Sequence, residues 1–213
     1  MELDYHSIVR LDAIHMMDRN LTQRVLEIGC GTGNTLAYLK KNGLAAYVEG
    51  IEKELQCVEA LNPLVDKLTN ADVEQLGFTE NEKFDTVLLL DILEHLVDPY
   101  KLLQQVTRLI KPKGQIIISI PNIRNLKILK ALIVNGTWTY QDTGILDRTH
   151  LRFFTKKSFL EGVREKRIAI EMCDYQMNLD NFPRWIHWLS QIISIDDYLA
   201  CQHLFKFRLE HPV

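Results

Sequence analysis

The stretch that decides the fold is Val25-Leu-Glu-Ile-Gly-Cys-Gly-Thr-Gly-Asn34. A short apolar run, 25–28, enters three glycines at alternate positions and then a segment with helical patterning, 34–41. Glycine accepts positive φ and lets a ligand approach the backbone closely. The first turn of the helix adds N–H groups with no partner inside the helix. Gly29, Gly31 and Gly33 give G-x-G-x-G, and Asn34 stands where a dinucleotide fingerprint would carry its last small residue. Glu27 lies two residues before the first glycine.

Working outward, a second strand is expected over 47–51 and leads into Glu52, 19 residues after Gly33. A carboxylate at the end of the second strand can accept both hydroxyls of a ribose. Glu49 and Glu54 compete for that role, and Glu52 is preferred because it directly follows the apolar strand end. Helices are expected over 4–19, 53–61 and 99–110, and a short third strand over 66–69. FDTVLLL, 84–90, is apolar on both faces, the mark of a parallel strand covered by helices. A turn over 112–114 and a buried strand over 115–120 follow, stopped by Pro121. The alternation predicts a doubly wound α/β sheet.

After Pro121 the pattern changes. A helix is expected over 126–134, then a loop carrying Trp138 and Tyr140, then DRTHLRFFT over 147–155. Trp138 and Tyr140 either stack on an acceptor or anchor the loop. Two last strands are expected over 167–173 and 204–209. Between them Trp185, Trp188, Leu189, Ile192 and Ile193 share one helical face. That face either packs on the sheet, covers the acceptor, forms a dimer contact or meets a lipid-linked substrate. The chain reads as a single domain over 1–213. It comprises an N-terminal helix within 1–20, a ligand-binding core over 21–121, and insertions over 122–166 and 176–200.

Hydrophobic residues make up 46% of the 213 residues and charged ones 25%, which excludes a disordered or collagenous chain. A net charge of −3 gives no general basic field for nucleic acid or anionic membranes and leaves room only for a local basic patch. Cys30, Cys57, Cys173 and Cys201 form no CxxC or CxxH pair, so neither a disulfide framework nor a metal site is expected. No run approaches a membrane span and the first residues lack a secretory core. A cytoplasmic location is therefore expected, and a homodimer is left open.

Taken in order, the Glu27–Gly33 motif, Glu52, NADVEQLGF (70–78), FDTVLLLDILEHLVDP (84–99) and LIKPKGQIIISIPN (109–122) resemble the class I S-adenosylmethionine-dependent methyltransferases. The resemblance covers about residues 20–125. It implies a mainly parallel seven-stranded, Rossmann-like sheet whose last strand is antiparallel, with S-adenosylmethionine as cofactor. It places Gly29, Cys30, Gly31 and Gly33 along the methionine and ribose, Glu27 near the methionine amino group, and Glu52 on the ribose hydroxyls. Asp72 would meet the adenine amino group, Val73 the ring face, and Asp91 the ligand crevice.

GILDRTHLRFFT, 144–155, resembles a bacterial subgroup associated with surface-polysaccharide synthesis. On that resemblance His150 is the candidate base for an acceptor hydroxyl, with Asp147 orienting it and His95, from D-I-L-E-H, at the site edge. Each also has a structural reading: a loop held by His150 and Asp147, and His95 packed beneath the turn after Asp91. The acceptor expected first is a sugar hydroxyl in a glycan or activated sugar. A phenolic or quinone-precursor hydroxyl is the alternative within enzymes, and a cofactor-binding module without turnover the alternative outside them.

Overall fold

The computed structural model describes residues 8–21, 23–78, 83–166, 168–179 and 196–209. Seven strands form one sheet in the order β3-β2-β1-β4-β5-β7-β6. They are β1 Arg24–Ile28, β2 Tyr47–Glu52, β3 Lys67–Asn70, β4 Phe84–Leu90, β5 Ile110–Pro121, β6 Ile170–Leu179 and β7 Ala200–Leu209. The β7 strand runs antiparallel to both neighbours, and the other pairings are parallel. The order reverses between β1 and β4, so the β1, β2 and β4 ends border one crevice, where such sheets take ligands.

Alternation along the central strands divides the core between two faces. Leu26, Ile28, Val87, Leu89, Ile116 and Ile118 face the side covered by α4, Pro99–Thr107, and α6, Lys156–Glu165. Val25, Leu88 and Ile117 face the side covered by α1, Leu11–Met16, and α2, Asn34–Lys41. Short helices α3, Leu55–Glu59, α5, Leu126–Ile133, and α7, Asp196–Leu199, complete the described α-helices, and 3-10 turns lie at Arg19–Leu21 and Leu93–His95. The helix starts follow local chemistry. Asp98 accepts from Lys101 N ahead of Pro99, and Thr155 and Ser158 cap α6 reciprocally.

Several expected bounds differ. Of the helix expected over 4–19, residues 4–7 lie outside the described residues, and the described helix is the six residues Leu11–Met16, because Met17 turns extended. The helix expected over 99–110 stops at Thr107, and Ile110 instead pairs with Phe84. Residues 112–114, expected as a turn, lie inside β5 at a register shift, with Lys113 at φ 67°. The last two strands are longer than expected. β6 is an edge strand with mostly exposed, polar residues, which hides its alternation. The helix expected over Trp185–Ile193 lies outside the described residues.

Candidate active site

The glycine turn is built where β1 ends. Gly29 and Gly33 have φ of 74° and 73°, in the left-handed region. A Cβ on Gly29 would sit 2.8 Å from Ile92 Cδ1, and one on Gly33 would sit 2.8 Å from Val65 Cγ2. Gly29 N donates to the Ile51 carbonyl at 2.8 Å, tying the turn to the end of β2. Cys30, expected along the cofactor, is buried with its Sγ against Gly50, so it faces the sheet and contributes backbone to the turn.

Glu52 is buried and accepts three backbone N–H groups: from Gly31 at 2.8 Å, Lys53 at 2.8 Å and Glu54 at 2.9 Å. It therefore fastens the glycine turn to β2 and holds a carboxylate at the crevice. Glu49 is bonded instead to Tyr47 and ion-paired to Lys67, away from the turn. Burial pushes the Glu27 carboxyl up to about 8, opposed by Arg10 and reinforced by Glu52. Glu27 Oε2 is fully buried without a hydrogen-bond donor. A buried carboxyl with an unmet oxygen at the strand end that enters the glycine turn fits the cationic amino end of S-adenosylmethionine. Asp72 accepts from Glu74 N and Gln75 Nε2 and so caps its own turn, while Val73 is buried.

Asp91, at the end of β4, has φ 53°, a conformation uncommon for a residue with a side chain. Arg10, Ser119 and Gln202 all donate to its carboxylate. Arg10 also bonds Asp12 and Gln202, linking the segment before α1 to β4, β5 and β7. Sequence reading missed Arg10. No motif surrounds it, and only the fold brings it to positions 91, 119 and 202.

The second cluster comes from the turn after β4 and the segment 144–155. His150 is buried, and its Nδ1 lies 3.0 Å from the Ile145 carbonyl. A carbonyl only accepts, so Nδ1 carries the proton and Nε2 keeps its lone pair. The orienting role expected of Asp147 thus falls to Ile145. Asp147 Oδ1 instead accepts the Thr149 hydroxyl at 2.6 Å and the Thr149 N–H at 2.8 Å. Burial would raise the Asp147 carboxyl, but these two bonds hold it below the usual carboxylate range. The spent Thr149 hydroxyl can then only accept from His95 Nδ1 at 3.1 Å, so His95 also keeps its Nε2 lone pair. The two imidazoles meet edge to face at 4.8 Å.

Between them lies Glu94, 1% exposed, with neither carboxyl oxygen hydrogen-bonded. Its Oε1 is 4.0 Å from His150 Nε2. Burial, then Asp91, drives the Glu94 carboxyl well above its ordinary value, and burial, then His150, lowers His95. Donor atoms of Glu94, His95 and His150 all lie within 4.8 Å of one another, a set that could hold a metal ion. Cysteine spacing gave no such expectation, because these donors come from residues 94, 95 and 150. The backbone supplies the joint: Leu151 N and Arg152 N both donate to the Glu94 carbonyl. Arg148 pairs with Asp142, and Arg152 donates to the Val97 carbonyl.

Residues 7–165 match the family described as "Methyltransferase domain". The chain is 34% identical over 207 residues to the ubiquinone biosynthesis O-methyltransferase of Neisseria meningitidis serogroup A, covering 94% of this chain and 83% of that protein. It is 25% identical over 206 residues to the ubiquinone biosynthesis O-methyltransferase of Histophilus somni, covering 91% and 84%. Among solved structures, a SAM-dependent methyltransferase from Archaeoglobus fulgidus shares the fold with a TM-score of 0.63 at 18% identity, covering 93% of this chain and 90% of that one. A putative methyltransferase bound to the Haloferax volcanii Trm112 activator shares it with a TM-score of 0.69 at 15% identity, covering 98% and 92%. The glycine turn, the ordered carboxylates and these likenesses place the chain in the methyltransferase-domain family, as an S-adenosylmethionine-dependent methyltransferase.

Proposed function

We propose that the protein methylates a phenolic hydroxyl of the quinone-precursor type, with His150 Nε2 taking the acceptor proton. The observation that carries this reading is the fixed tautomer of His150, whose unprotonated Nε2 lies 4.0 Å from Glu94 Oε1 and whose ring is flanked by those of His95 and Phe153. A phenol gives up its proton more readily than an aliphatic hydroxyl. An unaided imidazole therefore suits a phenol better than a sugar, and an aromatic wall suits its ring. The names of the relatives support the same choice over the sugar hydroxyl expected first.

In this scheme Glu27 and Glu52 hold the amino and ribose ends of the cofactor, and the turn from Gly29 to Gly33 lines it. When bound, S-adenosylmethionine supplies a methyl group made electrophilic by its sulfonium. His150 removes the acceptor proton as the oxygen attacks, and the imidazolium formed lies beside Glu94. Such general-base help is worth about 10²–10⁴-fold.

A second reading rests on Glu94, whose two buried oxygens lack donors. If Glu94, His95 and His150 bind a divalent cation, that ion lowers the acceptor's pKa and His150 acts as a ligand. Methyl transfer to catechol-type phenols should exceed transfer to sugar nucleotides. Transfer to sugars alone contradicts the proposal. Activity that survives exhaustive EDTA treatment favours the base, and loss restored by Mn²⁺ or Zn²⁺ favours the ion.

A further inference from the structure

We propose that Glu74 and Arg152 are positioning residues that couple cofactor binding to the placement of the acceptor side. Both act through the corner at Val97. The inference deepens the proposed function and rests on its cofactor end, not on the identity of the base.

In the turn after β4, Ile92 lies against Gly29, while Glu94 and His95 belong to the cluster with His150. Leu93 and Leu96 are buried and anchor the turn from below. Val97 is 63% exposed, so packing does not fix the corner that follows. Polar bonds hold it instead, and they come from two sides.

From the cofactor side comes Glu74. Its carboxylate accepts the Val97 N–H at 3.0 Å and the Asp98 N–H at 3.1 Å. Glu74 N donates in turn to Asp72 Oδ1 at 2.9 Å, and Asp72 and Val73 are the residues expected at the adenine. From the acceptor side comes Arg152. Its guanidinium donates to the Val97 carbonyl at 2.7 Å, and its N–H donates to the Glu94 carbonyl at 3.0 Å. The Leu151 N–H shares that carbonyl at 2.8 Å. One peptide corner thus receives a carboxylate from the loop over 71–78 and a guanidinium from the segment over 144–155. Both bonds are charge-assisted, each worth roughly tenfold in an equilibrium.

This placement suits coupling. A ligand that orders the loop at Asp72 and Val73 fixes Glu74. Glu74 fixes the Val97 corner, and the corner fixes Arg152 and the backbone that leads to His150. The acceptor then meets a segment already ordered, which favours its binding after the cofactor.

The test is amide hydrogen exchange of the full chain by NMR, with and without S-adenosylhomocysteine, taking β7 amides as the reference for global opening. In the wild type the ligand should slow exchange at the Leu151 and Arg152 amides by roughly tenfold more than at the reference. Arg152 is exposed, so its substitution leaves the core intact. Arg152→Met should lose that extra slowing, and Arg152→Lys, which keeps a donor, should retain most of it. Glu74→Ala should lose it as well. Affinity of Arg152→Met for S-adenosylhomocysteine should fall by no more than about tenfold, because coupling is reciprocal. No extra slowing in the wild type, or the full extra slowing in Arg152→Met, overturns the proposal. The readout uses no acceptor. A protein that shows the slowing and methylates no phenol keeps the coupling and refutes the proposed acceptor.

Discussion

The two ends of the site are built from different materials. At the proposed cofactor end the site is built of backbone. A buried glycine turn gives its Gly29, Cys30 and Gly31 N–H groups to the Ile51 carbonyl and the Glu52 carboxylate, all within the 26 positions 27–52. At the acceptor end it is side chains. Glu94, His95 and His150 meet across more than 50 positions, each imidazole fixed through its Nδ1. Backbone geometry tolerates little change in residue type and so writes a motif. A side-chain cluster assembled by the fold leaves single residues without a pattern. The difference predicts that damage at the first end abolishes cofactor binding, and damage at the second abolishes turnover.

Gly33→Val should have the largest effect on binding. A β-branched residue at φ 73° with Val65 Cγ2 2.8 Å from its Cβ cannot keep the turn. Calorimetry should show S-adenosylhomocysteine affinity weakened by roughly 100-fold or more, the turn's strain alone costing about 1–2 kcal/mol. Wild-type affinity would show that the turn is not the binding surface.

Glu52→Ala comes next. Loss of charge-assisted bonds to the cofactor should weaken affinity by about 10–150-fold, or about 1.5–3 kcal/mol. Because three backbone N–H groups lose their acceptor as well, denaturant unfolding should show lower stability by about 1–3 kcal/mol. Unchanged stability would mean that Glu52 does not fasten the turn.

Protonation sets the cofactor end against β7 by sign. The folded, cofactor-free protein keeps the Glu27 proton to about 8, where the unfolded chain loses it near 4.5, so this residue makes stability fall as pH rises through that window. Binding a cationic amino group should then release a proton, and affinity should rise with pH up to about 8. Calorimetry in buffers of different ionisation enthalpy reads that proton, and Glu27→Gln should remove it.

Beyond β5, burial lowers His203 to about 4, outweighing Asp197, so the folded protein leaves it neutral where the unfolded chain protonates it near 6.5. That residue makes stability fall as pH drops between those values. His203→Asn should flatten the acid side of a melting profile and leave the alkaline side alone. A mutation acting on the wrong limb would overturn the assignment.

Legibility followed the same division. The β4 strand under the cofactor end is apolar on both faces, and the strand order and the glycine turn could be read directly. Glu52 was separable from Glu49 and Glu54 because it closes the apolar run. Its second role as acceptor for three N–H groups was not legible, since it depends on how the turn folds back. Position singled out His150, but its partner is a main-chain carbonyl at Ile145, which no side-chain pattern could reveal. Glu94 was legible as part of D-I-L-E-H at the site edge, but not as a buried carboxyl without donors. Arg10 and Gln202 reach Asp91 from positions 10 and 202. The β6 strand was read short because an edge strand needs no apolar face, so its alternation is faint.

The most direct test crosses the two ends. Glu52→Ala and His150→Ala are each measured for S-adenosylhomocysteine affinity and for single-turnover methyl transfer to a catechol-type phenol at saturating cofactor. His150→Ala should lose about 10²-fold or more in the chemical step, while its cofactor affinity stays near wild type. Glu52→Ala should lose affinity and regain most of its rate at saturation. If His150→Ala binds the cofactor poorly, or turns over phenol at the wild-type rate, the division between a backbone-built binding end and a side-chain-built reacting end is wrong.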